Sequence, residues 1–290
     1  MKIIPIANIK SGQDGAIYGK YLFRFNSKGL CRVYDMAEIT EPRGEVIDIE
    51  PIYEFTLDRA DEIVPHSNAV VFGNEYYAED DEFPLLYSNI YNNYAKSENK
   101  RCGGCCVYRL QRKGTEFFTT LGQYMEIGLS DDREYWRSPG DTSDIRPYGN
   151  FVIDPVNGIY YGFTMRDGVM QTRYFAFELP KLSDGEPDAV LGINKVTLNV
   201  SDIKEYFDAP YHNFIQGACL KNGKIYSVEG FHAEIHPAIR IIDTERREQV
   251  FFCDLFEAGA EIEAEFIDFY NEKCYYGDYR GHIFMLEFDE

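Results

Sequence analysis

The chain is short of positive charge, of long apolar runs and of helical periodicity, and each shortage removes a class of function. Lys and Arg number 29 against 49 Asp and Glu in 290 residues, a formal net charge of −20. So acidic a protein repels phosphate backbones and anionic lipid, and no local basic cluster breaks the pattern. Neither nucleic acid nor a membrane surface is expected as a partner. No apolar stretch approaches the roughly 20 residues that cross a bilayer. The opening Met1-Lys2-Ile3-Ile4-Pro5-Ile6 is too short for the apolar core of an export signal, and no small-residue cleavage site follows it. Seven cysteines (Cys31, Cys102, Cys105, Cys106, Cys219, Cys253 and Cys274) are an odd number without such a signal. They fit a reducing compartment, the cytoplasm, as free thiols and small core residues. A Gly-rich phosphate loop, a nucleophile elbow and a dinucleotide fingerprint are all lacking, which argues against P-loop, α/β-hydrolase and Rossmann chemistry. No cofactor is expected.

What the chain has in quantity is large side chains: 44% hydrophobic and 16% aromatic, with 23 Tyr and 21 Phe. Such a composition repays the entropy of ordering and excludes a disordered chain. These residues fall in runs of four to eight, separated by Gly, Asn, Asp and Pro, as in Tyr21-Leu22-Phe23-Arg24-Phe25 and Ile283-Phe284-Met285-Leu286-Glu287-Phe288. Several alternate apolar with polar, the period of a half-buried antiparallel strand. Asn157-Gly158 and Asn222-Gly223 lie between such runs and predict tight hairpins, because a type I′ turn needs two residues of positive φ. The chain is all-β.

A longer repeat lies over the runs. Residues 149–162, 216–226 and 264–277 each read as a small or polar residue, an apolar strand, a turn and an aromatic strand. Looser copies begin at Gly15 and at Ser67, the latter interrupted by Glu79-Asp80-Asp81-Glu82. Each copy is followed by one or two more strands, so the unit holds four. This pattern resembles the β-propeller superfold, without the signature boxes of sialidase, WD or Kelch repeats. Five copies predict five blades of about 58 residues, slightly longer than the roughly 40–50 of short-looped blades. Six blades is the alternative parsing, and a two-sheet sandwich is the competing architecture. The last copy runs out after three strands, whereas the strand-like residues 2–9 belong to no copy. An open sheet edge is a liability, so residues 2–9 are expected to complete the last blade as its outermost strand, making residues 1–290 a single propeller domain. Residues 128–148 read as an inter-blade loop, and Ser201–Phe207 as a capped, short amphipathic turn.

In a propeller the site lies at the mouth of the central channel. The stretches that begin each innermost strand are polar: Gln13-Asp14, His66-Ser67-Asn68, Arg146 to Asn150, His212 to Gln216, and Glu263 to Glu265. A ring of such donors and acceptors suits a small polyhydroxylated or zwitterionic ligand, a carbohydrate above all. His66, Asn68, Arg146, Asn150 and Gln216 would hydrogen-bond it, with Tyr87 or Tyr148 as a stacking face. Equally, these groups could pair with each other and with water, as buried polar groups must. His66 and His212 occupy analogous places and could shuttle a proton. A second reading is a glycan-cleaving enzyme, which needs two carboxyl groups. Asp14, Glu229, Glu265 and Asp278 fall at strand ends, and in this the chain resembles five-bladed propeller glycosidases in architecture. The third reading is a protein-interaction scaffold presenting aromatic surface. No metal site is expected. Cys102-Gly103-Gly104-Cys105-Cys106 has no second pair, and Cys105 and Cys106 begin a strand and so face opposite ways. His232-Ala233-Glu234-Ile235-His236 has the wrong offset for a zincin helix. Glu79–Glu82 reads as a solvated tip rather than a calcium loop.

Overall fold

The computed structural model describes residues 1–63, 65–90, 104–127, 150–166, 170–210, 214–230 and 235–288. Their strands form five sheets. Blade 1 takes Gly15–Tyr18, Tyr21–Phe25, Leu30–Asp35 and Tyr53–Thr56. Blade 2 takes Val70–Phe72, Leu86–Ile90, Gly104–Lys113 and Glu116–Ile127. Blade 3 takes Phe151–Asp154, Ile159–Arg166, Gln171–Glu178 and Glu205–Pro210. Blade 4 takes Ile215–Lys221, Lys224–Glu229, Ala238–Asp243 and Glu248–Asp254. Blade 5 takes Ala264–Tyr270, Lys273–Asp278 and His282–Glu287, and is completed by Lys2–Asn8. The five first strands touch one another in cyclic order, blade 5 against blade 1 included. The fold is a five-bladed β-propeller.

The core is radial. Five clusters of buried side chains each fill one gap between neighbouring blades, from Phe23, Leu86 and Tyr108 between blades 1 and 2 to Leu22, Tyr34, Phe266 and Ile283 between blades 5 and 1. Alternation along a strand feeds both faces of a blade. Cys105 packs toward blade 3 and Cys106 toward blade 1, the opposite orientations that successive strand residues must have.

The N-terminal strand closes the ring as expected. Lys2–Asn8 pairs antiparallel with His282–Glu287, with a register shift between Pro5 and Ala7, where proline cannot contribute an N–H to the ladder. It is not quite the outermost strand, because Ile47–Asp48 adds in parallel beyond it. That pair comes from the connection between the third and fourth strands of blade 1. The equivalent connection of blade 3 reaches back in the same way, adding Asn194–Leu198 in parallel to Glu116–Ile127 of blade 2. Each insert therefore covers the outer edge of the preceding blade, which protects an exposed edge and accounts for the long repeat.

Two local expectations need correction. Asn222 and Gly223 do have positive φ, 51° and 69°, joining Lys221 to Lys224 as a two-residue hairpin. At Asn157-Gly158 only the glycine does, at 64°. There the Asp154 carboxylate accepts from the N–H groups of Val156 and Asn157 at 2.9 and 3.1 Å, so a longer Asx-type turn replaces the tight one. In Ser201–Phe207, a single 3₁₀ turn over Val200–Asp202 gives way to the outer strand Glu205–Pro210 of blade 3. Residues 128–148 lie outside the described residues. Among the described residues no helix is long and apolar enough to cross a membrane.

Candidate functional site

Because the innermost strands run in the same sense, their first residues gather at one mouth of the ring, beside the last residues of the second strands. Polar side chains there bridge every pair of neighbouring blades. Asp14 Oδ2 accepts from the Val70 N–H at 2.8 Å, joining blades 1 and 2. Asn89 donates to Asn150 Oδ1 at 3.4 Å, joining blades 2 and 3, and Asn150 in turn donates to the Ile215 carbonyl of blade 4. Gln216 donates to Glu263 Oε1 of blade 5 at 2.5 Å and to the Gly230 carbonyl at 2.9 Å. Gln13 closes the circuit by donating to Glu265 Oε1 at 3.2 Å. Asn68 receives the Asn89 amide, while its own N–H donates to Asn89 Oδ1 at 3.1 Å.

The polar ring is thus partly self-satisfying. Around blades 2 to 4 the amides are spent on one another and on backbone. Unpaired capacity concentrates at the seam between blades 5 and 1. Asp14, Arg24 and Glu265 are 0%, 1% and 3% exposed, and Asp14 Oδ1, Arg24 Nε and Nη1, and Glu265 Oε2 have no hydrogen-bond partner among the described residues. Arg24 spends only Nη2, on the carbonyls of Gly12 and Asp278 at 3.1 and 3.0 Å. Two glycines pack closely against these buried atoms. A Cβ at Gly12 would come within 2.9 Å of Arg24 Nε, and one at Gly217 within 2.8 Å of Asp14 Oδ1. Burial raises the carboxyl pKa values of Asp14 and Glu265 well above the ordinary range, more than the nearby Arg24 guanidinium lowers them. For Glu265 the Glu263 carboxylate raises it further. Both groups therefore favour the neutral acid.

The other sequence-predicted positions fall elsewhere. Glu229 is locked in a buried ion pair with Arg240, at 2.7 and 3.2 Å to its two oxygens, and Arg240 also binds Gln249. Asp278 Oδ1 accepts three backbone N–H groups, of Arg280, Gly281 and His282, at 2.9–3.0 Å. Its Oδ2 holds His282 Nδ1 at 2.6 Å. It organises a turn. The ring of Tyr87 is wholly buried in the layer between blades 2 and 3, against Gly73, rather than exposed as a stacking face. His66 is half-buried on the approach to the first strand of blade 2. Arg146, Tyr148 and His212 lie outside the described residues. In the acidic insert, Asp81 and Glu82 pair with Arg109 and Arg112 at 2.6 and 2.8 Å, which ties the tip to blade 2.

Arg24 and Asn89 escaped the sequence reading because both sit on second strands. A signal was available for Arg24: a lone charge inside the apolar run Tyr21–Phe25, where full burial demands partners.

No protein-family profile matches the sequence, and no characterised protein matches it either. Among solved structures the chain is similar to BamB from Moraxella catarrhalis, at 7% identity over 96% of this chain and 58% of that one, with a TM-score of 0.36. It is also similar to the computationally designed protein Ika8, at 10% identity over 97% and 99% of the two chains, with a TM-score of 0.37. A third is a chain of a nidogen/laminin complex, at 11% identity over 92% and 71%, with a TM-score of 0.42. The chain spans little more than half the length of the BamB chain. At such values the likeness says nothing about function, and the fold rests on the sheet order and the cyclic contacts of the inner strands.

Proposed function

We propose that this protein is a ligand-binding propeller whose axial mouth takes a small polyhydroxylated molecule, a carbohydrate or a fragment of one. The observation that carries the reading is the set of unpaired, buried donors and acceptors on Arg24, Asp14 and Glu265. Such groups cost roughly 1–3 kcal/mol each when left unmade, and a ligand rich in hydroxyls, which both donate and accept, can complete all of them. Gln13 and Glu263, both half-buried, flank the entrance, and Asn68, Asn150 and Gln216 hold the surrounding strand starts in register. Binding is favoured over glycan cleavage because Glu229 and Asp278 are committed to Arg240 and to the turn, which leaves only Asp14 and Glu265 for an acid pair. One chain is proposed to act as one binding domain. The described cysteines, all free thiols, suit a reducing compartment such as the cytoplasm.

A thermal-unfolding screen against neutral and amino monosaccharides tests the reading. A ligand at about 100 times its Kd should stabilise the fold by roughly 2.7 kcal/mol, and Glu265→Gln should reduce the shift. A shift unaffected by Glu265→Gln and by Asp14→Asn would place the site elsewhere.

A protein-interaction scaffold is the second reading. Tyr206 and Phe252, 46% and 39% exposed, lie on the outer strands of blades 3 and 4, over the guanidinium groups of Arg173 and Arg240. Arg247 joins those strands to each other through Glu205. Loss of a captured partner in Tyr206→Ser/Phe252→Ser, with sugar binding unchanged, would favour this face.

A further inference from the structure

We propose, building on the axial reading above, that the ligand is a polyhydroxylated amine, bound as its ammonium form against the Asp14 and Glu265 carboxyl groups with release of a proton to solvent. The first ground is the balance of groups at the seam. Asp14, Glu265 and Asp278 supply three carboxyl groups that interact with the Arg24 guanidinium, and Glu263 adds a fourth beside Glu265. Asp278 is saturated by three N–H groups and His282, and Glu263 by Gln216 in part. The remaining open oxygens, Asp14 Oδ1 and Glu265 Oε2, are therefore the natural seats for a cation or a hydroxyl. Arg24 Nε and Nη1, donors only, are the seats for hydroxyl oxygens. An anionic sugar would satisfy Arg24 but would bring its charge against the acidic groups.

The second ground is electroneutrality. A dry site resists net charge, and burial already holds Asp14 and Glu265 toward their neutral acids. An ammonium placed within reach reverses that preference, since an opposite charge favours the ionised carboxylate. The step balances simply: one carboxyl O–H breaks, the proton passes to solvent, and the carboxylate left behind pairs with the ammonium. No charge is added to the interior. Gly217 and Gly12 pack against Asp14 Oδ1 and Arg24 Nε, where a Cβ would press on both atoms.

Isothermal titration of the full chain with D-glucosamine and D-glucose at mildly acidic pH tests this. Each sugar is run in two buffers that differ in heat of protonation. Glucosamine should bind at least about tenfold more tightly than glucose, with buffer-dependent heat corresponding to nearly one proton released per amine. Glu265→Gln and Asp14→Asn, each checked for native unfolding behaviour, should lose part or all of that release and of the preference for the amine. Equal affinity for the two sugars, or glucosamine binding with no buffer dependence, would overturn the amine assignment while leaving the axial site standing. Absence of binding by both sugars would overturn the axial site itself.

Discussion

Asp268 offers the cleanest test of how the ring is sealed. It stands on the inner strand of blade 5, and its Oδ2 accepts the Ile17 N–H of blade 1 at 2.7 Å, while Oδ1 accepts the Phe269 N–H at 2.8 Å. The carboxyl is shut in among protein atoms although the residue as a whole keeps partial exposure. Burial pushes its pKa from 3.8 up to about 6, against the opposing pull of the two N–H groups and of Lys221. A rise of about two pH units, at 1.36 kcal/mol each, means that ionising Asp268 costs the fold roughly 3 kcal/mol relative to the unfolded chain. The sign follows from linkage. The folded state binds the proton more tightly, so the contribution to stability is full below about pH 4 and is lost as pH rises through about 6. Asp268→Asn removes the ionisation but turns an amide NH₂ toward one of the two N–H donors, a loss of about 1 kcal/mol. The variant should therefore gain about 1–2 kcal/mol over the parent at pH 7.5 and be equal or slightly weaker at pH 4. Urea unfolding of both proteins at the two pH values measures the difference directly, and other carboxyl groups cancel in the comparison. An offset between variant and parent that stays constant with pH would refute the buried-carboxylate account.

Other perturbations test the remaining contacts. Glu229→Gln leaves Arg240 buried and short of its counter-ion, and should cost about 3–5 kcal/mol in chemical unfolding; a cost under about 1 kcal/mol would mean the pair is solvated. Gly217→Ala drives a Cβ to within 2.4 Å of the Glu265 carbonyl oxygen and should cost at least about 1–3 kcal/mol, with a loss of ligand-induced thermal shift. Removal of residues 1–8 strips the fourth strand from blade 5 and opens the edge of His282–Glu287. Size-exclusion chromatography should then show self-association where the parent does not.

The architecture was legible because each blade states itself locally: aromatic strand, turn, aromatic strand, with Asn222-Gly223 as an explicit hairpin. Closure by residues 2–9 followed from counting, since a three-strand remainder at one end matched an unassigned strand at the other. The edge-covering inserts were not legible. The parallel pairing of Ile47–Asp48 with Ala7 and Asn8 joins two short segments with no alternation strong enough to fix a register. At the mouth, first-strand positions could be read because turn residues mark where strands begin, which is how Asp14, Asn68, Asn150, Gln216 and Glu265 were found together. Second-strand contributors leave no such mark. Tyr87 was misplaced for a related reason: strand periodicity tells that a side chain leaves one face of a blade, but not whether that face meets solvent or the next blade.

Position in the ring explains why unpaired charge collects between blades 5 and 1. Around blades 2 to 4, neutral amides bridge successive inner strands, and an amide can donate and accept at once, so Asn68, Asn89 and Asn150 are spent on one another and on backbone. The seam is built differently. Beside the Gln13 amide, its bridging groups are carboxyl groups, which when ionised only accept, and a guanidinium, which only donates. Arg24 must reach across to the Asp278 carbonyl while Asp14 reaches the other way to Val70, so neither can turn fully toward the other. The strand-to-strand contacts that hold the ring shut therefore consume one end of each group and leave the other end open. Those unpaired ends lie between blade 1 and the blade that Lys2–Asn8 completes. A ligand that completed them would also brace the closure. Its binding should accordingly raise the unfolding midpoint of blade 5, followed by amide hydrogen exchange in Ala264–Tyr270 and Lys2–Asn8, more than it protects the blade 3 strands Phe151–Asp154 and Gln171–Glu178. Uniform protection of all five blades would show that the seam is not where the ligand acts.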